Sequence, residues 1–578
     1  MKIANRNCDL QQANFSDNIN PFLQKLFYSR GCTSDADLQV QLSSLPRPDS
    51  LLGIDAAVKE LVEALNNQQK ILIVGDFDAD GATSAAMMML ALKAMGYSQV
   101  DYLVPNRFDY GYGLTPEIVE LARCKSPDLI ITVDNGISSI EGVDCANQLG
   151  IKVVITDHHL PGARLPAAAA IINPNQQNCS FPCKNLAGVA VAFYLLSALR
   201  AELRALNWFV EQKISEPNMA HYLDLVALGT VADVVPLDQV NRTLVHQGLL
   251  RIRSGQARAG VYALLRIAGK NPARLVSTDL GFAVGPRLNA AGRLDDMSLG
   301  IQCLLAEDSA TAMQTAQELE QLNQERKAIE RSMQVEALEI VDNLGFADCA
   351  ELPHALCLYQ SDWHQGVVGL LASRIKEKYH RPTAVFARDK EGVLKGSVRS
   401  IPGLHIRDLL DSIATLNPGL ISKFGGHAMA AGLSIDESLL PEFEQALQQQ
   451  VKQTIDESDL KATLLTDGEL SSELLTMHTA QILRDAAPWG QAFPEPCFQG
   501  LFNLVQQRIV GENHLKVVLS PTSAQQLTID GIYFNVDTQQ WPTAEGLVRC
   551  VYRLDINEYR GQENLQLMIV YMEPYSPN

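Results

Sequence analysis

A regular alternation of strand-like and helix-like segments begins near residue 70 and constrains the fold more than any other feature of the chain. Short β-branched apolar runs recur as ILIVGD, VDYLVP, DLIITVDNG, IKVVITDHH and AAAIINP, and helix-like segments such as GATSAAMMMLALKAMG lie between them. Strands that alternate with helices form βαβ units, in which a parallel sheet is covered by helices. The first part of the chain is therefore predicted to be an α/β domain.

The chain as a whole divides into five segments of different character. Residues 1–48 have the pattern of an irregular or helical arm, and residues 49–306 contain the α/β domain. Residues 307–345 lack glycine and proline until their end and predict one long connecting helix. A second, smaller α/β domain is predicted for residues 346–455. Short alternating strands within residues 456–578 predict a small β-barrel or sandwich.

Length and composition limit the class of protein. With 578 residues, of which 47% are hydrophobic, the chain is long enough for about three or four domains. It shows neither a signal-peptide pattern nor an apolar run of about 18 residues, so we expect a cytoplasmic protein without a membrane span. The eleven cysteines are scattered and predict reduced thiols. The one close pair, Cys179 and Cys183, has no second pair with which to form a zinc site.

The charge of the chain argues against one way of binding nucleic acid. Lys and Arg number 47 against 66 Asp and Glu, which gives a formal net charge of -19. Such a charge is not that of a protein that coats nucleic acid by bulk electrostatic attraction. A polyanionic substrate is still compatible with it, because bound divalent cations or a local basic channel can reverse the field at one site.

Acidic and histidine side chains recur where apolar segments end. Asp76, Asp78 and Asp80 directly follow the first strand-like run, and in a parallel sheet the ligand crevice lies beyond the carboxyl ends of the strands. Similar side chains follow other strands and one apolar helix: Asp134, Asp157, His158, His159 and Asp233. We expect these side chains to converge on one edge of the sheet.

Clustered carboxylates repel one another unless protons or cations compensate their charge, and a bound dication supplies that compensation. Oxygen ligands with one or two imidazoles suit Mn²⁺ best and Mg²⁺ next, whereas zinc is less natural without thiolates. Two such ions form the usual apparatus for hydrolysing phosphoesters, because they activate water and neutralise the charge of the phosphate. The pattern therefore favours a metal-dependent phosphoesterase.

Simpler interpretations exist for each of these residues. An aspartate after a strand can be a helix N-cap or a turn residue, and paired histidines are often ordinary surface or core residues. The recurrence at several strand ends is what favours metal binding over these alternatives. A nucleotide-binding loop is disfavoured, because GDFDADGATS has neither the GxGxxG nor the GxxxxGK[ST] spacing.

The motifs DFDADG, VDNG, TDHH and ADVVPL, in this order, resemble the four motifs of the DHH phosphoesterase superfamily. KGSVRSIPGLH and FGGHAMAAG resemble its DHHA1 companion domain. With VPNRFDYGYGL, GPRLNAAGRLDDMS, DWHQGVVG and the terminal β region, residues 15–575 are similar to the superfamily members that degrade single-stranded DNA. The resemblance implies a parallel-sheet DHH domain joined by a long helix to a smaller α/β DHHA1 domain, followed by an OB-like β domain.

The same resemblance implies an activity. It is that of an exonuclease that hydrolyses single-stranded DNA 5′→3′ to 5′-mononucleotides in DNA repair and recombination, with two Mn²⁺ or Mg²⁺ ions. It further implies a monomer, with a single-strand-binding protein and a DNA helicase as candidate partners. One alternative is a phosphodiesterase of the same superfamily that cleaves short oligonucleotides or cyclic dinucleotides, or a pyrophosphatase. Another is a DNA-binding or scaffold protein without activity.

Carried over motif by motif, the resemblance also implies roles for individual residues. The metal ligands are Asp76, Asp78, Asp80, Asp134, His158 and Asp233, of which Asp76 is either a direct ligand or a group that orients one. His159 faces the scissile phosphate as a charge stabiliser or general acid, and Asp157 holds the histidine pair.

Substrate contacts are implied in all three domains. Arg107, Tyr112 and Arg287 contact DNA near the cut, and Ser397 and Arg399 hold the 5′-terminal phosphate. Weaker candidates are His364 and His427 in the DHHA1 region, and Lys516, Phe534, Tyr559 and Arg560 in the β region, whose aromatic and basic side chains suit unpaired DNA. Without the resemblance, GGHAMAAG would indicate close helix packing around a structural histidine.

Overall fold

The computed structural model describes residues 1–106, 110, 113–343, 352–389, 392–511, 513–536, 541, 546–559 and 561–576, and for Tyr559 it describes the backbone alone. The chain divides into two compact units. The smaller unit contains Met1–Ile3 and Glu320–Leu464, and the larger unit contains Ala4–Leu319 and Leu465–Asn578.

The described strands are β1 (Lys2–Asn5), β2 (Ile71–Gly75), β3 (Val100–Leu103), β4 (Leu129–Val133), β5 (Lys152–Thr156), β6 (Ala170–Ile172), β7 (Leu356–Tyr359), β8 (Thr383–Arg388), β9 (Val393–Arg399), β10 (Lys423–Gly426), β11 (Ala430–Asp436), β12 (Thr463–Thr466), β13 (Phe498–Val510), β14 (His514–Pro521), β15 (Ile529–Tyr533), β16 (Gly546–Tyr559) and β17 (Gln562–Pro574). The described helices are α1 (Pro21–Tyr28), α2 (Ile54–Asn66), α3 (Ala79–Ala94), α4 (Pro116–Arg123), α5 (Ile140–Gln148), α6 (Gly188–Ala205), α7 (Trp208–Glu211), α8 (Leu223–Ala232), α9 (Gln239–Arg253), α10 (Ala259–Ile267), α11 (Ser277–Asp279), α12 (Gly285–Leu294), α13 (Ser298–Leu305), α14 (Ser309–Asn343), α15 (Val368–Tyr379), α16 (Ile406–Leu416), α17 (Leu440–Thr454) and α18 (Met477–Ala486). A π-helical turn, Leu280–Val284, lies between α11 and α12.

The central sheet of the larger unit is parallel throughout. Its strand order is β3-β2-β4-β5-β6, which confirms the predicted parallel sheet. Every residue of β2 and β4 is buried, as expected for β-branched strands covered on both faces. The chain leaves β2 for β3 on one side and returns to β4 on the other. Such a reversal of strand order opens a ligand crevice at the carboxyl ends of the two strands.

Three helices beside this crevice pack on one another. Helix α3 contacts α6 and α8, and α6 also contacts α8. Of the 16 residues of α3, 13 are buried, so the helix has no exposed polar stripe. Small residues allow the close approach: a Cβ atom added to Gly229 of α8 would lie 2.3 Å from Thr83 Oγ1 of α3. The N-terminus of α3, the N-terminus of α6 and the C-terminus of α8 carry the residues of the site.

The smaller unit contains a mixed sheet in the order β10-β11-β9-β8-β7. β7 and β8 are parallel and the other neighbours are antiparallel. Helix α14 is one 35-residue helix, as the sequence predicts. Within this unit Glu330 of α14 forms a buried ion pair with Arg326 (2.6 Å) and a partly exposed one with Arg374 (3.0 Å), and Trp363 Nε1 donates to Glu336 at 2.7 Å. The Glu330–Arg374 pair joins α14 to α15, and the Trp363–Glu336 hydrogen bond joins α14 to the segment before α15.

The C-terminal strands form a closed five-stranded barrel in the order β13-β14-β15-β17-β16, which agrees with the predicted OB-like domain. The N-terminal segment is packed into the same core, because Leu26 of α1 contacts the buried cluster of the barrel. Arg30 Nη1 and Nη2 donate to the two carboxylate oxygens of Asp467 at 2.8 and 2.9 Å. Within the described ranges, none of the helices combines the length and the apolarity that crossing a membrane requires.

Candidate metal centre

The loop after β2 places its first aspartates at the N-terminus of α3. Asp78 Oδ1 accepts hydrogen bonds from the backbone N–H of Asp80 (2.9 Å) and of Gly81 (3.0 Å). Asp78 is therefore a helix N-cap, which was one of the simpler interpretations. The cap uses only one carboxylate oxygen, so the role does not conflict with metal binding through the other.

Asp80 is buried and faces the N-terminus of α6. Its carboxylate accepts from the N–H of Gly188 at 2.6 Å and from that of Val189 at 2.9 Å, where the helix end favours negative charge. A Cβ atom at Gly188 would lie 2.6 Å from Asp134 Cβ, so glycine is required for this approach. Burial, followed by the charge of Asp78, raises the pKa of Asp80 to about 7 despite these hydrogen bonds. The hydrogen bonds and the nearby His159 therefore offset only part of the cost of charging this carboxyl group.

Residues that lie far apart in the chain meet around His158. Asp134 follows β4 in the left-handed region (φ 62°), and its Oδ1 lies 3.1 Å from His158 Nε2. Asp233 directly follows α8, and its Oδ2 lies 3.5 Å from the same nitrogen. Burial, and next the charge of Asp80, raises the pKa of both carboxyl groups well above the ordinary value.

Asp157 holds the two histidines in place. Its Oδ1 accepts from His158 N (2.7 Å), His159 N (3.1 Å) and His159 Nδ1 (2.8 Å), and its Oδ2 accepts from Ile137 N (2.9 Å). Burial acts to raise the pKa of Asp157, but the His159 ring outweighs it and the pKa is about 2. Burial acts to lower the pKa of His159, but Asp157 outweighs it and the pKa is about 9. The two side chains are an ion pair at neutral pH.

The donor atoms fit divalent cations. Three triads have ligand atoms within 4.8 Å of one another: Asp76, Asp78 and Asp134; Asp80, His158 and Asp233; and Asp134, His158 and His159. Carboxylate oxygens with a small number of imidazoles are the ligands expected for Mn²⁺ or Mg²⁺. Mutual repulsion in a buried crevice would be relieved by such ions. The structure therefore brings together all six sequence-predicted ligands, and it groups Asp76 with two of them.

Four residues that sequence reasoning missed position this centre. Asn289 Oδ1 of α12 accepts from Ala79 N at 2.7 Å, which fixes the start of α3. Asn173 and Asn175, just after β6, donate to the backbone oxygens of His159 (2.8 Å) and His158 (2.6 Å). The fourth is Gly292, whose missing side chain makes room for the backbone oxygen of Phe77. Two signals in the sequence could have identified them. Asn173 and Asn175 follow a strand at the same edge of the sheet, and Asn289 and Gly292 belong to the GPRLNAAGR motif.

The predicted phosphate residues lie together in the smaller unit. Arg399 Nη1 donates to Ser397 Oγ at 2.7 Å. A Cβ atom at Gly369, in the first turn of α15, would lie 2.8 Å from Arg399 Nη2 and 3.1 Å from Ser397 Oγ. Burial lowers the pKa of Arg399, and no described carboxylate forms an ion pair with it. A helix N-terminus, a hydroxyl and an unneutralised guanidinium suit an anionic group.

The other predicted DNA contacts have different environments. Arg287 is buried in α12 and donates to the backbone oxygen of Ala283. His364 Nδ1 accepts from Gly366 N at 3.1 Å. His427 is exposed in the β10–β11 hairpin, so the alternative of close helix packing around it was wrong. Arg107 and Tyr112 lie outside the described residues.

On the barrel, Phe534 is 47% exposed and packs edge-on against His514, at 5.1 Å between ring centroids. Lys516 is engaged by Asp530 at 3.0 Å. Arg560 and the side chain of Tyr559 lie outside the described part of the chain. Cys183, one of the two cysteines considered for zinc, is a free thiol that donates to Asp238 at 3.0 Å.

The chain is similar to known proteins over nearly its whole length. Residues 70–230 match the "DHH family, N-terminal domain", residues 353–453 the "DHHA1 domain" and residues 466–571 the "RecJ OB domain". The single-stranded-DNA-specific exonuclease RecJ of Dickeya dadantii (strain 3937) is 55% identical over 559 residues, which cover 96% of this chain and 97% of the relative. The chain belongs to the RecJ family.

Solved RecJ structures share the fold and contain metal. The crystal structure of RecJ in complex with Mn²⁺ from Thermus thermophilus has a TM-score of 0.77 and 29% identity, and covers 97% of this chain and 77% of that chain. The Mg²⁺ complex of RecJ from the same organism has a TM-score of 0.73 and 27% identity, and covers 97% of this chain and 76% of that chain. The predicted family resemblance and fold class are confirmed, and the metals in these two structures are the two that the sequence predicts for this chain.

Adding Mn²⁺ to the metal-free RecJ-family chain is expected to raise its thermal midpoint, because the unfolded chain cannot assemble the three triads. At a free Mn²⁺ concentration about 100 times the Kd, the stabilisation is about 2.7 kcal/mol. Thermal unfolding of EDTA-treated protein, titrated with MnCl₂ against KCl of matched ionic strength, measures the shift. An equal response to both salts would contradict a specific site.

Proposed function

We propose that this chain is a metal-dependent exonuclease that hydrolyses single-stranded DNA 5′→3′ to 5′-mononucleotides in DNA repair and recombination. The observation that carries the proposal is the convergence of carboxylate and imidazole atoms, within 4.8 Å in each triad, at the sheet crevice of a RecJ-family chain. Single-stranded DNA as substrate is supported by the RecJ relatives, which are single-stranded-DNA-specific exonucleases.

Two ions, Mn²⁺ or Mg²⁺, would be held by Asp76, Asp78, Asp80, Asp134, His158 and Asp233. Asp134 is close to both groups of potential ligands, because it shares a triad with Asp76 and Asp78 and its Oδ1 lies 3.1 Å from His158 Nε2. When bound, such ions activate a water molecule and neutralise charge on the phosphate and the leaving oxygen.

His159 acts on the scissile phosphate. Its Nδ1 is tied to Asp157 at 2.8 Å, which fixes the orientation of the ring and keeps its pKa at about 9. A ring that is protonated at neutral pH stabilises negative charge on the phosphate and has a proton to give to the leaving 3′-oxygen. Asp157 is a positioning residue, because it acts through the histidines.

The DNA strand is held by residues outside the metal centre. Arg287, Arg107 and Tyr112 contact the strand near the cut, and the Ser397–Arg399 pair receives the 5′-terminal phosphate. His364 and His427 are further contacts in the same part of the chain. The closed barrel adds a binding platform for unpaired bases, which is supported by its exposed Phe534.

The cellular setting follows the same proposal. We place the enzyme in the cytoplasm as a monomer that works with a single-strand-binding protein and a DNA helicase. We propose the domain boundaries that the sequence predicts: an arm (1–48), a DHH domain (49–306), a connecting helix (307–345), a DHHA1 domain (346–455) and an OB-like domain (456–578).

One assay separates this function from the alternatives. Purified protein receives 5′-labelled single-stranded DNA, blunt duplex, a dinucleotide or pyrophosphate, each with Mn²⁺ or with EDTA. Release of labelled mononucleotide from the single strand, and only with metal, is the expected result. Much faster turnover of the dinucleotide or pyrophosphate would instead identify a small-substrate phosphoesterase, and activity in EDTA would exclude the metal mechanism.

Arg399→Ala is expected to reduce the preference for a 5′-phosphate over a 5′-hydroxyl end by about tenfold or more. A hydrogen bond to a charged group contributes about 1.5–3 kcal/mol, and alanine removes both the charge and the fork of donors. The measurement is the ratio of kcat/KM for the two ends. Arg399→Lys keeps the charge and should retain part of the preference, whereas an unchanged ratio in the alanine variant would contradict the pocket.

A further inference from the structure

Phe282 stands out among the apolar residues of the larger unit, because 84% of it is exposed. It lies in the π-helical turn Leu280–Val284, in which Leu280, Ala283 and Val284 are buried. The hydrophobic effect favours burial of the larger apolar side chain, but here the small side chain of Ala283 is buried and the phenyl ring of Phe282 faces solvent. Single π-turns within helices occur frequently at functional sites.

The π-turn is attached to the end of the helix that carries Asp233. A Cβ atom at Gly281 would lie 3.2 Å from Val231 Cγ1, and one at Gly285 would lie 3.2 Å from Ala232 Cβ. These two glycines therefore let the turn sit directly on the last residues of α8. Asp233, a ligand in the proposed metal centre, is the next residue after that contact.

The following helix, α12, is attached to the opposite side of the centre. Asn289 accepts from Ala79 N at 2.7 Å, and Gly292 packs on the backbone oxygen of Phe77, between two of the clustered aspartates. The segment from Phe282 to Gly292 thus runs from the Asp233 side to the loop after β2. Phe282 is the exposed residue at the start of this segment, next to Gly281, which packs on Val231 of α8.

A second exposed apolar side chain directly follows Asp233 in the chain. Val234, next to Asp233, is 62% exposed, and its φ of 62° is unusual for a β-branched residue. Glycine would adopt this conformation with less strain, so the valine side chain is present at an energetic cost. Val234 and Phe282 are thus two exposed apolar side chains, one adjoining Asp233 in the chain and the other in the turn that packs on the end of α8.

We propose that Phe282 stacks on an unpaired base of the DNA strand at the edge of the metal centre, with Val234 as its apolar neighbour; this inference rests on the proposed function. Every base has an aromatic face, so stacking holds the strand without reading its sequence. In a duplex the faces of the bases are covered by neighbouring pairs. The ring therefore favours a single strand, and its attraction does not depend on the negative charge of the protein.

The test uses steady-state kinetics of the full-length protein with Mn²⁺ and 5′-phosphorylated single-stranded DNA. Loss of base–aromatic stacking corresponds to about a tenfold effect or more. Phe282→Ala should therefore raise KM about tenfold, with kcat changed less than about threefold. Phe282→Trp should keep KM near that of the parent, and Phe282→Leu should give a value between the two.

A strand with abasic sites near its 5′ end isolates the stacking contribution. The parent protein should show a raised KM on this strand, and Phe282→Ala should add little to it, because the same interaction is already absent. The matched control is Val210→Ala, which removes a 78% exposed apolar side chain at α7. The neighbouring Trp208 contacts Met95, at the end of α3 opposite to Asp78, so this variant should behave as the parent.

The outcomes separate the two proposals. If the parent releases no nucleotide from single-stranded DNA with Mn²⁺, the proposed function fails. If the parent is active and Phe282→Ala leaves KM unchanged, or raises it equally on normal and abasic strands, stacking is wrong. In that case the exposed ring has another use, such as contact with a partner protein.

Discussion

Asp233→Asn is expected to lower kcat about a thousandfold or more while making the metal-free protein more stable. The variant loses a ligand of the proposed centre, and charge stabilisation by metal supplies several kcal/mol to phosphoester hydrolysis. Without metal, however, Asp233 is a largely buried carboxyl group, with 20% of its side chain exposed, and its burial and acidic neighbours, Asp80 first among them, raise its pKa well above the ordinary value. Asparagine has similar shape and no charge, so it removes this repulsion.

The sign of the stability change depends on pH. A carboxyl group whose pKa is raised by folding destabilises the folded chain above its unfolded pKa of about 3.9, and has no such effect below it. In EDTA at pH 7 to 8 we expect a gain on the order of 1 kcal/mol, which for a chain of 578 residues is about 1 °C in the unfolding midpoint. The gain should disappear near pH 4, and added Mn²⁺ should stabilise the variant less than the parent.

A matched control lies at the other end of the same helix. Asp224 of α8 is fully buried, but it is paired with Arg258 and also accepts from Arg258 N at 2.9 Å. Asp224→Asn breaks a buried ion pair, so it should lower the midpoint, and the folded fraction should keep its activity. Full activity of Asp233→Asn, or a lowered midpoint in EDTA, would contradict the assignment of Asp233 to a metal centre.

His159→Gln is expected to lower kcat by about 10²- to 10⁴-fold, the usual range for removing a general acid or base, with little change in metal binding. Glutamine can still donate to Asp157, so the loop should remain in place, but it has neither the charge nor a transferable proton. Single-turnover cleavage of 5′-labelled single-stranded DNA measures the loss. Thermal shifts with Mn²⁺ measure the binding that should persist.

This variant also decides between two roles that the geometry allows. One triad of potential ligands combines His159 with Asp134 and His158. If His159→Gln abolishes the stabilisation by Mn²⁺ together with activity, His159 is a metal ligand, and the assignment to the phosphate is wrong. The control is His405→Gln, which alters an exposed helix cap in the smaller unit and should change neither quantity.

Much of the architecture could be predicted because its signals are local. Hydrophobic runs with β-branched residues marked β2, β4 and β5, and the absence of glycine and proline marked α14. Parallel strands place their carboxyl ends at one edge, so the convergence of Asp80, Asp134 and His158 also followed from the pattern. Asp233 was predicted near the end of a helix, but its distance to His158 depends on how α8 packs.

Other features could not be read from local patterns. The cap on Asp80 by the N-terminus of α6 joins residues 108 and 109 positions apart in the chain, and the contact of Asn289 with Ala79 spans 210. The N-terminal segment resembled a separate arm, yet Leu26 belongs to the core of the barrel near the other end of the chain. Apolar residues indicate that a segment is buried, but they do not indicate its partner.

The sequence by itself determined the fold class, the chemistry of the donors and the family, because these depend on residue types at fixed short spacings. Only the tertiary structure decided that Asp78 also caps a helix, that Asp76 shares a triad with Asp78 and Asp134, and that Phe282 is exposed in a turn packed on the end of α8. Each of these depends on packing between helices and loops distant in the chain, and such packing has no local period in the sequence.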